Sequence, residues 1–65
     1  MLDDFAKSLI RDYMRSEKKR IFSESVGDTM GAMYWLGKSE AFAGIIVRYT
    51  GIPFDKLNDE ALLED

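Results

Sequence analysis

The sequence predicts an all-α fold, an antiparallel two-helix hairpin followed by a short C-terminal helix, and three observations carry that prediction. The run Thr29–Thr50, TMGAMYWLGKSEAFAGIIVRYT, concentrates the bulk of the chain in a length that suits a helix of about six turns. The stretch before it, about 3–23, repeats apolar residues at helical spacing and reads as an amphipathic helix. The segment 23–28, SESVGD, is so short that the two helices must be antiparallel neighbours. All 65 residues form a single domain near the lower size limit for an unaided apolar core. The chain contains neither Cys nor His, which excludes disulfides and the usual zinc and haem sites. No cofactor or metal is expected, so self-association or a protein partner is left as the source of added stability.

In the first helix Leu2, Phe5, Ala6, Leu9, Ile10, Tyr13, Met14 and Ile21 share one half of the wheel, and Asp3 or Asp4 is placed to cap its positive end. SEKKR at 16–20 interrupts the apolar stripe, so the second half of this helix should be wetter than the first. Phe22 falls on the polar side: either the helix has ended there or the ring faces something outside the monomer. Gly27 suits the left-handed residue that ends a helix, Asp28 or Thr29 suits the next cap, and Val26 is placed to plug the hairpin end. Gly51 and Pro53 then terminate the second helix, since proline biases Ile52 out of the helical region. Phe54, Leu57 and Ala61 have the spacing of a short third helix over about 54–63.

The second helix has no properly polar side. Trp35, Leu36, Phe42, Ala43, Ile46 and Val47 fill one arc, while Met30, Met33, Tyr34, Gly37, Ala41, Gly44 and Ile45 fill most of the other; only Lys38, Glu40 and Arg48 are charged. A helix apolar all round must be covered on several faces, which one partner helix cannot do. The expected interface residues are Trp35, Gly37, Ala41, Phe42, Gly44, Ile45, Ile46 and Tyr49, with Phe54 and Leu57 as C-terminal anchors. Glycines inside a helix cost roughly 1 kcal/mol each relative to Ala, so Gly37 and Gly44 should serve packing. Either they accommodate a ring of the first helix, such as Phe5 or Tyr13, or they seat a helix of another chain. The Trp35/Phe42/Ile46 arc and the Gly37/Ala41/Gly44 face cannot both be covered by the first helix.

Lys7, Arg11, Arg15, Lys18 and Lys19 form a basic face on the first helix, which reads either as a phosphate or anionic-membrane contact or as a solvated face. The net charge is −3, and residues 51–65 carry five acids against one base. Such a tail would repel a nucleic-acid backbone, so a neighbouring subunit's tail is the more economical partner for the basic face. Nucleic acid and membrane are therefore disfavoured. The longest uncharged runs, 29–37 and 41–47, fall short of the roughly 20 residues that span a bilayer, and the acidic N-terminus is unlike a secretory signal. Without His, Cys or a glycine-rich phosphate loop, no catalytic set or small-molecule substrate site can be assembled. Glu40, a lone carboxylate, is expected in an ion pair with a base of the first helix or of a neighbour.

The succession LIRDYMRSEKKRIF and MYWLGKSEAFAGII, within residues 9–47, resembles small helical-hairpin proteins encoded in tailed-bacteriophage genomes near head and portal genes. It shares with them a charged helix, a short turn, and a tyrosine and glycine on a helix of small and apolar residues. GIPFDKL lies outside that pattern. The resemblance implies a virion-associated or assembly role in a capsid or neck, with no catalytic residues to carry over. The reading is a non-enzymatic structural protein forming a homo-oligomer or part of a larger assembly, in the host cytoplasm or the virion. Two others stand beside it: a small regulator of a host protein, docking through its acidic tail or the Phe54/Leu57 anchor, and a basic-face binder of nucleic acid or anionic membrane.

Overall fold

Helix α1 begins where a carboxylate can hold its exposed backbone amides. Asp3 is the cap, accepting from the Ala6 amide at 2.8 Å, and the helix runs Asp4–Ser25 in a computed structural model that describes residues 2–64. It ends two residues later than the apolar pattern suggests, because the stop lies in the backbone. Gly27 adopts φ +75°, the left-handed conformation that glycine takes without a steric penalty. Its amide reaches the Glu24 carbonyl at 3.2 Å while the Asp28 amide reaches that of Ser23 at 2.8 Å, the paired bonds of a Schellman stop. Asp28 at once caps α2 (Thr29–Thr50) by accepting from the Gly31 amide at 2.9 Å. Gly51, at φ +77°, ends that helix.

The third helix expected over 54–63 is instead two separate 3-10 turns, Phe54–Lys56 and Glu60–Leu63. Asp59 is extended and accepts from the Ala61 amide, so a new cap divides the segment before an α-helical turn can propagate. The segment folds back over α1 and delivers Leu57, fully buried, to the core. Leu57 joins Leu9, Ile10 and Tyr13 of α1 and Ala43 and Ile46 of α2, with Met14, Phe42, Val47, Leu62 and Leu63 packed around them.

Toward the turn the seam changes character: the buried residues there are Ser16, Ser23 and Ser39, small enough to bring two helices close together. A Cβ at Gly31 would run into the Asp28 carboxylate and the Ser23 hydroxyl. Gly31 is thus the glycine within α2 that the hairpin itself needs. Beside this seam Arg20 pairs with Glu17 at 2.9 Å and Glu24 at 2.7 Å along α1. The wetter second half of α1 therefore consists of serine contacts edged by an ion-pair network. Val26 does not plug the hairpin end, being 61% exposed, because the Schellman turn carries its side chain past the last seam residues.

The open end of the hairpin is tied by Tyr49, whose hydroxyl donates to Asp3 at 2.7 Å while its ring meets Phe5 edge-on at 5.2 Å. The Ala6 amide and then the Tyr49 hydroxyl hold the Asp3 carboxyl below its ordinary value of 3.8. Arg20 chiefly holds Glu17 below 4.5, helped by the hydroxyls of Ser39 and Tyr13; Ser39 stands near Glu17 without a hydrogen bond of full geometry. Burial, then the Glu17 charge, pushes the Tyr13 phenol up.

Both carboxyls titrate lower in the folded chain than in the unfolded one, so their stabilisation is complete above the unfolded values and is lost as pH falls through the folded ones. Thermal melts should therefore weaken below about pH 4.5, and Tyr49→Phe should lessen the part of that loss due to Asp3 while preserving the ring contact with Phe5. A second prediction contrasts neighbours: Ile46 is fully buried and Ile45 is 49% exposed. Denaturant unfolding should show Ile46→Ala costing about 2–5 kcal/mol and Ile45→Ala close to none in the monomer.

Candidate interaction surface

The seam of α2 is built from Ser39, Ala43 and Ile46, the residues of that helix buried in the chain. On a helix with 100° between residues, Gly37, Ala41 and Gly44 lie on the opposite side, and all three are exposed. A Cβ at Gly37 or at Gly44 would meet nothing within 4 Å. The expectation that these glycines accommodate Phe5 or Tyr13 is therefore overturned. Phe5 instead meets Tyr49 at the open end, and Tyr13 faces Phe54 at 6.5 Å between ring centres.

Around the glycines α2 presents Met30 at 84% and Met33 at 68% exposure, together with exposed Tyr34, Leu36 and Ile45. At the turn Phe22, 66% exposed, and Ile21 and Val26 continue the apolar surface. The helix continues past Phe22, so the ring is presented outward. Two shallow clefts run along one flank of α2. One, about 330 Å³, lies between Arg20 and Glu24 of α1 and Ala32, Met33 and Leu36. The other, about 620 Å³, is formed by Leu36, Ala43, Gly44, Val47 and Phe54, with Glu40 and Arg48 as its charged residues. Soluble monomers rarely leave contiguous apolar surface of this kind uncovered without a use for it.

The other expected interface residues divide. Ile46 and Leu57 are consumed inside the monomer, since the seam and the returning C-terminal segment together enclose them, so neither is available to a partner. Tyr49 is half committed to Asp3 and Phe5. Trp35 and Phe42 are half-buried on the α1 side. Lys19 lies over the Trp35 ring at 4.8 Å and Lys38 at 5.8 Å, with Tyr34 edge-on to Trp35 at 4.9 Å. Trp35 thus works as a hub between the two helices, stabilised by the attraction of cations to its ring face. Phe54 remains 60% exposed at the end of the larger cleft.

The basic face is also redistributed. Lys7 is buried, at 5% exposure, on the flank of α1 over which the C-terminal segment returns, a cover that a wheel of α1 alone does not contain. Arg11, Arg15 and Lys18 share a cleft with Glu60 and Leu63, without an ion pair between Glu60 and any of the three among the described residues; Asp65, the last acid of that tail, lies outside the described residues. Arg15 also pairs with Asp12 at 3.5 Å, and Lys19 is engaged by Trp35. The five cations do not form one continuous anion-binding stripe. Glu40 has no ion pair to α1 among the described residues. None of the described helices is long and apolar enough to cross a membrane.

No family model, curated protein or solved structure matches the chain.

Gly37 sits within a helix and nothing among the described residues uses its missing side chain, so Gly37→Ala should raise the stability of the isolated monomer by up to about 1 kcal/mol. Gly31→Ala should lower it, because its Cβ meets the Asp28 cap. Parallel thermal melts at the lowest measurable concentration read both changes.

Proposed function

We propose that this protein is a non-enzymatic structural or assembly protein that works by docking the outer face of α2 against another protein chain. The supporting observation is the exposed apolar surface from Met30 to Ile45, on the side of the helix away from α1. It combines flexible methionines, which adapt to a partner's contour, with glycines that let a second backbone approach. Its centre is apolar and its charges, Lys38, Glu40 and Arg48, stand around it, the arrangement of protein interfaces, where charge is depleted at the centre and the rim is polar. Assembly into a capsid or neck, the setting implied by the resemblance to phage hairpin proteins, is the form this reading takes for a protein of that origin.

The regulator reading loses one of its supports, since Leu57 is buried and only Phe54 of the proposed anchor projects. The basic-face reading loses its continuous stripe to the burial of Lys7 and to the contacts with Asp12 and Trp35.

Sedimentation of the full chain at micromolar concentration and above should give a mass that is a multiple of 7.5 kDa, and Met33→Ser with Ile45→Ser should return it to one chain without loss of helicity. A folded monomer across the whole range overturns the reading.

A further inference from the structure

The larger cleft on α2 carries a charge pattern that selects its occupant. Glu40 and Arg48 both line it, both are exposed, and neither has an ion-pair partner among the described residues. They stand four residues to either side of Gly44, hence about 6 Å above and below it along the helix axis. Gly44 leaves open space at the midpoint, since a Cβ there would meet nothing within 4 Å. Leu36, Val47 and Phe54 supply apolar walls.

We propose that the occupant is α2 of a second copy of this chain, crossing antiparallel about a two-fold axis level with Gly44, so that Glu40 of each copy meets Arg48 of the other. The inference rests on the reading of α2 as a docking surface and names the partner. An antiparallel two-fold at this level exchanges the positions of Glu40 and Arg48, turning two unpaired charges per chain into two intermolecular ion pairs. A parallel pair in register sets Glu40 against Glu40 and Arg48 against Arg48, which is repulsive at the rim of an apolar contact. Such an interface is isologous, as closed dimers require. Gly44 faces its own copy where the two backbones come closest, and Leu36 and Val47 bring apolar area that the monomer leaves in water. Lys38 lies on the far flank over Tyr34 and Trp35 and adds no like charge to the contact.

Charge reversal in the full chain tests the pairing. Wild type should sediment as a dimer of the 7.5 kDa chain; Glu40→Arg alone and Arg48→Glu alone should each weaken dimerisation about tenfold or more, by turning two attractions into two repulsions. An equimolar mixture of the two single variants should form a heterodimer, and the double variant Glu40→Arg/Arg48→Glu should regain the dimer. Both positions are exposed, so circular dichroism of the same samples should show an unchanged helical monomer. Gly44→Leu, which fills the crossing point, should also break the dimer. If an oligomer forms but ignores the single reversals, or if the mixture fails to pair, this inference is overturned while the docking role of α2 stands. A chain that stays monomeric at every concentration overturns both.

Discussion

A two-helix hairpin has one seam, and the width of this one decides where every other side chain goes. From the middle of the hairpin to its turn the buried residues are Ser16, Ser23 and Ser39, and a Cβ at Gly31 would meet Asp28 and Ser23, so the seam there is filled by small side chains. The large buried residues, Ile10, Ile46 and Leu57, are gathered at the other end, where the C-terminal segment adds a third wall. Close packing at one end and a three-sided core at the other are both local solutions to the shortage of chain. Neither uses the outer half of α2, which is why a helix apolar all round reaches the surface with its methionines and glycines uncovered.

The ends of the hairpin are secured by polar contacts of short range. Asp3 caps α1 and also receives the Tyr49 hydroxyl, so one carboxylate couples the start of the first helix to the end of the second. Asp28 fills the corresponding role at the turn, within the space left by Gly31. These contacts fix register and direction more than they add energy, since an exposed hydrogen bond contributes only about 1 kcal/mol net. The apolar surface of α2 is in consequence carried on a frame whose helices cannot easily slide.

Hydrophobic periodicity made the hairpin legible: α2 spans the stretch its pattern marks, and the caps at Asp3 and Asp28 and the glycine stops at Gly27 and Gly51 follow from local chemistry. What the sequence left open was which face of α2 meets α1, because both arcs are apolar and a wheel gives no weight to closeness. The serines settle it: Ser39, flanked at helical spacing by Ala43 and Ile46, lies on the buried side, and small polar residues at a seam are easily mistaken for surface. Gly31 was missed because its role depends on Asp28 and Ser23 being beside it. The C-terminal segment was the least legible part. Its 3-10 turns, the burial of Leu57 and Lys7, and the cleft shared by Glu60 and the arginines of α1 are consequences of where the chain returns after Pro53, and no periodicity within those residues encodes that path.

If the chain associates through α2 as proposed, folding and association are coupled. Glycines at 37 and 44 weaken the isolated helix by roughly 1 kcal/mol each, and exposed methionines bring the monomer no burial in return. A partner that binds only the folded hairpin stabilises it by mass action, in proportion to the logarithm of its concentration relative to Kd. The same residues that make the monomer less stable than its composition allows therefore increase the difference between the free and the docked chain. If α2 docks as proposed, that is a useful imbalance, because the seam would define the surface in advance while much of the available apolar area would be withheld until a second backbone lay across α2.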